Sequence, residues 1–514
     1  MKSAMATAAE RLPSSGKLLL LLLAAVGWCG GLFFWYTGPL ILPGEWTIRL
    51  ILFGLLIVNT APVGIELLER RFDPFDPKHV FLAYFFIVFT LNCWNRAWFD
   101  LEATGGFPVP EPSEAIRIRS LSAVLICLSA FIGGCYLPFG KLFGAAIPTI
   151  PPISRGRVRS AAWIGIGLGL FAFLVLIQSA GGIRGFLSDL GSWRTTGVLA
   201  GVGYLTFPIT VILPASALLL LLLALPPKGR SLNWASYVGL VIYFASLLPV
   251  VVLGFRGNLL PALLQFFAVW HYARKRIQFG SVALLAAALV VFLSVYGVIR
   301  SVAGGEERQD HGFATAVLFR VPGLDTVERV IWQLDRGEPH RGLAAVFLES
   351  TTILVPRTFW PNKPQPASLA FADIFFFDFF LERGDPLDGV KSGVSPTLVG
   401  ELLWIGGLPI LILGSAALGV FACAVNAWRR RAPNHPLHIL IAAIFMGSIA
   451  IFVEAPQNTL NTFVMLATFC IGLAIILSVR IHRRRNGHSQ TALAEAGNFV
   501  TTRTSGGHPA DRLV

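Results

Sequence analysis

Charge is what this chain is short of. Asp, Glu, Lys and Arg make up 13% of its 514 residues against 55% hydrophobic ones. A mean hydropathy of +0.69 is too apolar for a water-soluble domain, in which roughly a quarter of residues are charged. Soluble enzymes, nucleic-acid readers and secreted disulfide scaffolds are thereby excluded, and a membrane protein is left. Cysteine is sparse too. Cys29, Cys93, Cys127, Cys135, Cys423 and Cys470 all fall in apolar runs without CxxC or metal-ligand spacing, so they read as buried small hydrophobes and imply no disulfide. No GxxxxGK[ST] loop, HExxH or Cys/His cluster is present, which argues against ATP-driven and zinc chemistry. A DxD pair is missing as well, since Asp73 and Asp76 stand two residues apart in an Asp-Pro-Phe-Asp-Pro turn that reads as structural. No cofactor and no metal are expected, so any energy must arrive with the substrate.

What is abundant is long apolar runs. A helix needs about 20 apolar residues to cross a hydrocarbon core of about 30 Å. Twelve such runs are read, at 18 to 37, 47 to 67, 80 to 98, 120 to 140, 161 to 182, 201 to 225, 235 to 254, 259 to 273, 281 to 299, 398 to 427, 437 to 454 and 462 to 480. The expected class is an all-α, polytopic transmembrane helical bundle of about 12 spans. Residues 1–299 would carry spans one to nine, 300–397 a large, partly helical periplasmic loop, 398–481 spans ten to twelve, and 482–514 a disordered cytoplasmic tail.

The net charge of +13 is explained by position. With the N-terminus in the cytoplasm, 24 of the 41 Lys and Arg lie inside, among them Arg155, Arg157, Arg159, Arg274 to Arg276 and Arg429 to Arg431. The short outer connections hold 7, of which Arg117 and Arg119 fit least well. That asymmetry follows the positive-inside rule and leaves no excess to argue for nucleic acid. The remaining ten basic residues lie in the loop 300–397 beside thirteen acidic ones. A connection of nearly a hundred residues is more often functional than idle. Its stretches Val327 to Leu334 and Leu343 to Val355 are amphipathic, and Phe375 to Phe380 is suited to the membrane interface. No internal repeat and no matched pair of Gly/Pro-broken helices is visible, which disfavours a secondary transporter.

Arginines recur on the expected outer face: Arg256 in Phe255-Arg256-Gly257-Asn258, Arg300 ending span nine, then Arg320, Arg329, Arg341 and Arg357, with Lys363. A guanidinium is always charged and forks toward phosphate oxygens, so several facing one cavity would make a diphosphate site. In Val355-Pro356-Arg357-Thr358-Phe359-Trp360-Pro361-Asn362-Lys363-Pro364, three prolines fix an extended turn, and Trp360 offers a stacking platform between two cations. Gly400-Glu401 begins a span, and a carboxylate there needs either a partner or a role. As general base, Glu401 is the first choice and Asp325 the second, ahead of Glu328, Glu349 and His340.

These residues carry a resemblance. The PR-x-x-W-P-x-K-P run at 356–364, the Gly-Glu some forty residues later with glycines beyond it, the Arg256-Gly257 break and the large loop resemble the O-antigen (oligosaccharide repeat unit) polymerase family, the Wzy type. The resemblance implies a GT-C-like glycosyltransferase of the bacterial inner membrane, with both termini cytoplasmic. It would transfer a glycan from one undecaprenyl diphosphate carrier onto a lipid-linked repeat unit at the outer face, without a metal. Undecaprenyl diphosphate-linked oligosaccharide and the lipid bilayer are then the expected partners, with a chain-length regulator and a flippase as further candidates. Arg256, Arg300, Arg320, Arg329, Arg357 and Lys363 would stabilise the leaving diphosphate, Trp360 would bind sugar, and Glu401 or Asp325 would take the proton. An O-antigen ligase-type enzyme is the first alternative, with His311 and His340 as its outer histidines. A polysaccharide or lipid-linked oligosaccharide transporter is the second, disfavoured because ionisable residues are few within the spans.

Overall fold

A computed structural model describes residues 15–37, 44–94, 113–150, 153–188, 205–253, 256–278, 280–281, 323–352, 355, 359–360, 363–375, 395–457 and 460–467. Residues 1–462 form one compact unit and 463–514 a second, of which 463–467 are described and helical. Among the described residues every regular element is a helix. In chain order the main ones are α1 Ser15–Thr37, α2 Gly44–Leu68, α3 Pro77–Phe85, α4 Glu114–Tyr136, α5 Phe139–Ala146, α6 Arg155–Ser179, α7 Gly182–Ser188, α8 Leu213–Ala224, α9 Trp234–Val252, α10 Arg256–Ala273, α11 Leu324–Asp335, α12 Leu343–Thr352, α13 Ala367–Phe375, α14 Thr397–Arg431 and α15 Pro436–Glu454. Wider π-helical turns extend α3 over Phe86–Leu91 and precede α8 over Pro208–Ile212.

Seven of these, α1, α2, α4, α6, α9, α14 and α15, are long and apolar enough to cross a membrane. Shorter apolar helices occupy the expected spans at 201–225 and 259–273, and α3 with its π-helical extension fills the beginning of 80–98. Nearly all of the 281–299 run and most of 462–480 lie outside the described residues. The chain is a polytopic helical membrane protein. Its exposed large side chains fit that solvent, because Val26, Phe53, Phe171, Leu174, Val241 and Leu248 project from faces of α1, α2, α6 and α9 that no other described helix covers.

The middle of the bundle is α4 against α14. In lipid there is no water-driven force between apolar helices, so close van der Waals packing must hold them, and small residues permit it. A Cβ added at Gly134 would collide with the Ala416 carbonyl, and one at Gly419 with the Phe131 carbonyl, so each helix offers a glycine to the other's backbone. Ser415 Oγ donates to Cys127 Sγ at 3.1 Å and Cys423 Sγ to the Cys135 carbonyl at 3.0 Å across the same seam. Cys93, Cys127 and Cys135 are buried thiols as expected, whereas Cys29 faces outward and Cys423 is half-buried. Gly134→Ala is expected to force the helices apart at a cost of about 1–3 kcal/mol. The check is thermal unfolding in detergent, and an unchanged midpoint would contradict the seam.

At the Arg429 end of α14 the Asp-Pro-Phe-Asp-Pro turn serves as a brace. Asp76 caps α3 by accepting from Lys78 N at 3.2 Å, and Asn426 donates to its second oxygen. Asp73 accepts from Tyr272 Oη at 3.1 Å and faces Arg429 at 3.8 Å, while Arg429 also lies over the Tyr272 ring. Glu66 pairs with Lys78 and receives Tyr136 Oη at 3.0 Å. Buried charges are tolerable only when paired in this way, so α2, α3, α4, α10 and α14 are tied at one end of the bundle.

Candidate functional site

The site lies at the other end of α14. Sequence alone predicts one continuous span over 398–427, yet α14 is broken in its third turn. Gly406 (φ −172°, ψ 32°) and Gly407 (φ 68°, ψ −157°) leave helical geometry. The cause is written in Gly406-Gly407-Leu408-Pro409. An intact helix would need the N–H groups of residues 408 and 409 to reach the carbonyls of Trp404 and Ile405, and Pro409 has no N–H to give. The loop segment before α12 supplies both donors instead. Arg341 N bonds the Trp404 carbonyl at 2.9 Å and Gly342 N the Ile405 carbonyl at 3.1 Å, with His340 Nδ1 3.3 Å from the Trp404 oxygen.

This strap carries Arg341 to the buried carboxylates. Its Nη2 pairs with Glu349 of α12, and its Nη1 lies 3.9 Å from Glu401 Oε1 in the N-terminal piece of α14. Glu401 is 2% exposed, and its other oxygen accepts from Gln457 N at 3.3 Å. The Gln457 amide donates to Ser350 Oγ at 2.8 Å and to Asn461 Oδ1 at 3.2 Å, and Asn461 Nδ2 donates to Glu349 Oε1 at 3.1 Å. The five residues Arg341, Glu349, Asn461, Gln457 and Glu401 therefore form a ring, with Trp404 under the guanidinium at 5.1 Å. Glu401 and Gln457 also line a narrow cleft with Ala367, Ser368, Ser395, Pro396 and Ala455. Thr397, beside the cleft, is held at φ 59° with its hydroxyl 3.1 Å from that of Thr326. A β-branched residue rarely adopts this left-handed conformation, and such strain gathers at functional sites.

The expected site residues are distributed as follows. Glu401 is a member of the ring, between Gln457 and Arg341. Asp325 is half-buried in the first turn of α11, which packs on α14 through Thr326 and Thr397. Arg329, on the same helix, is buried, donates Nε to the Phe375 carbonyl at the end of α13 and lies over Trp332. Lys363 Nζ donates to the Val355 carbonyl at 3.1 Å, and Trp360 is partly exposed. None of these four is bonded to Glu401. Arg300, Arg320 and Arg357 lie outside the described residues, as does the side chain of Arg256, whose backbone begins α10. Arg117 and Arg119, which fit the charge rule least well, have partners on α11: Arg119 Nη1 donates to Asp335 at 3.0 Å and Arg117 is 3.9 Å from Glu328. Sequence reasoning passed over Ser350, Gln457 and Asn461. Their signal was a cluster of amides and hydroxyls, Gln457-Asn458-Thr459 with Asn461, set between two apolar runs.

Comparison with known proteins gives one family. The family model described as "Putative O-antigen polymerase" matches residues 75–322, so the polar ring lies in the part of the chain beyond the matched stretch. No solved structure matches the chain.

Proposed function

Given this match to the O-antigen polymerase family, a family of membrane polysaccharide polymerisation, we propose that the protein polymerises an O-antigen or exopolysaccharide by glycosyl transfer at the outer face of the inner membrane. The donor is a glycan on undecaprenyl diphosphate, and the acceptor is the terminal sugar of a second lipid-linked repeat unit. Both termini are cytoplasmic in this reading, which places the Arg429 end inside and Glu401 outside. A lipid diphosphate sugar is already activated, so the protein needs cations for the departing diphosphate and a base for the attacking hydroxyl. The arginines at 256, 300, 320 and 357 are assigned the first duty and Glu401 the second.

The observation that supports this most directly is the buried pairing of Glu401 with Arg341. It holds a carboxylate ready at the helix break, beside a cleft that leads to it. Incubating purified protein with lipid diphosphate repeat units should yield longer glycans. Arg256→Ala and Arg357→Ala should each reduce surface polysaccharide to single repeat units while the protein stays in the membrane. Full-length ladders from both variants would rule out the cationic clamp. The position of His340 against the Trp404 carbonyl favours, as a second reading, ligase-type transfer to lipid A core. Retained attachment to core in His340→Ala would remove it.

A further inference from the structure

The ring around Glu401 is closed everywhere except at one gap. Four of its five links are hydrogen bonds or a direct ion pair, while Arg341 Nη1 and Glu401 Oε1 stand 3.9 Å apart, too far for a hydrogen bond. Arg341 Nη1 is buried with no hydrogen-bond partner, and the Arg341 side chain is 8% exposed. Gln457 Oε1 is buried without one as well. Buried polar atoms are nearly always satisfied, so an exception calls for an explanation. A single oxygen about 2.8 Å from each side would span such a gap, accepting from Nη1 and donating to Oε1. Only a group that both donates and accepts can do this, as a water molecule or a sugar hydroxyl does and an ionised phosphate oxygen does not.

Charge excludes the other ligand of the reaction. One guanidinium faces two buried carboxyl groups, Glu349 and Glu401, so no positive charge is left over to draw a diphosphate, and the place suits a neutral hydroxyl. The cleft agrees. Glu401, Gln457 and Ser395 are among its lining residues, and the Ser395 proton is already given to the Glu454 carbonyl, so its lining includes a carboxyl, an amide and a hydroxyl oxygen able to accept. The cleft holds no water-sized space in this structure, so its walls must part to admit the sugar's hydroxyl.

Resting on the polymerase reading, we propose that the gap between Arg341 and Glu401 is the seat of the acceptor sugar's hydroxyl, and that Glu349 and Asn461 are positioning residues that hold Arg341 there. In the step itself the hydroxyl proton passes to Glu401 Oε1. The oxygen's electron pair forms the bond to the anomeric carbon of the donor, and the bond from that carbon to the diphosphate oxygen breaks, its electrons leaving with the diphosphate. Arg341 holds the attacking oxygen. Glu349 fixes Arg341, and Asn461 fixes Glu349 while accepting from the Gln457 amide.

The test separates donor from acceptor in the full-length purified protein. The donor probe is the lipid diphosphate repeat unit with its attacking hydroxyl replaced by hydrogen. The acceptor probe is an alkyl glycoside of the same repeat unit, which has no diphosphate. Asn461→Leu and Glu349→Gln should each raise KM for the acceptor glycoside about tenfold, the effect of one misplaced hydrogen bond, with KM for the donor within about twofold of wild type. The double variant should be little worse than the worse single one, because the two residues act in series. Donor and acceptor KM rising together, or an unmoved acceptor KM, would overturn the assignment while leaving the polymerase reading intact. Absence of transfer by the wild type would overturn both. If Asn461→Leu fails to fold, Glu349→Gln, which keeps shape and volume, decides the matter by the same two constants.

Discussion

Arg341→Met is expected to destabilise the protein by about 3–5 kcal/mol and to abolish glycan transfer. Removing the cation leaves Glu349 and Glu401, each with a side-chain exposure of about 2–3%, facing one another with no counter-charge, and breaking a buried pair by deleting one partner carries a penalty of that size. The guanidinium also rests on Trp404, so some packing is lost with it. Arg341→Lys should recover part of the stability, since the charge returns, but little of the activity. A point-charge ammonium cannot hold Glu349 with one nitrogen and present a second toward Glu401. In a double-mutant cycle, adding Glu349→Leu to Arg341→Met should restore part of the lost stability, because one of the two stranded carboxylates is removed with its partner, while transfer stays absent. Thermal unfolding in detergent alongside the glycan assay reads both quantities. Wild-type stability in Arg341→Met would show that the ion pair does not hold the loop to the broken helix, and the candidate site would fail with it.

The parts legible from sequence were those governed by periodicity and solvent preference. Apolar runs of the right length betray a spanning helix whatever surrounds them, and for that reason α1, α2, α4, α6, α9, α14 and α15 fall where the runs do. Glu401 was legible because a carboxylate entering an apolar run is costly unless it has a purpose. Arg341 and Glu349 were visible as an arginine and an acid among several in a long loop, but nothing local distinguished Arg341 from Arg329. The difference is tertiary: Arg329 is turned to the Phe375 carbonyl, whereas the strap carries Arg341 to Glu401. Asn461 and Gln457 bond to partners 112 and 56 residues away, and such a separation leaves no trace in spacing. Arg117 and Arg119 strained the charge rule because that rule counts charges and does not see Glu328 and Asp335 arriving from the loop.

Gly407→Ala should uncouple the loop from α14. Gly407 has φ 68° and ψ −157°, a region essentially confined to glycine, where a side chain costs about 1–3 kcal/mol. The chain could escape that strain by winding on as a helix, but Pro409 would still supply no donor for the Ile405 carbonyl. Continuation would also displace Arg341 N from the Trp404 carbonyl, since the Leu408 N–H would claim it. Either outcome weakens the two bonds by which the strap is held, and Arg341 moves away from Glu401. The measurement is deuterium uptake at the backbone amides of Arg341 and Gly342. Both are protected by those bonds, and the variant should exchange about tenfold faster or more, in proportion to the lost free energy. The α4–α14 seam, further along the helix at Gly134 and Gly419, should keep its protection. Acceptor KM should rise with strap exchange, because the same motion withdraws the guanidinium from the hydroxyl seat. Unchanged exchange at Arg341 and Gly342 would mean that the helix break does not depend on Gly407, and the strap would then be an ornament of the loop and not the device that sets the site.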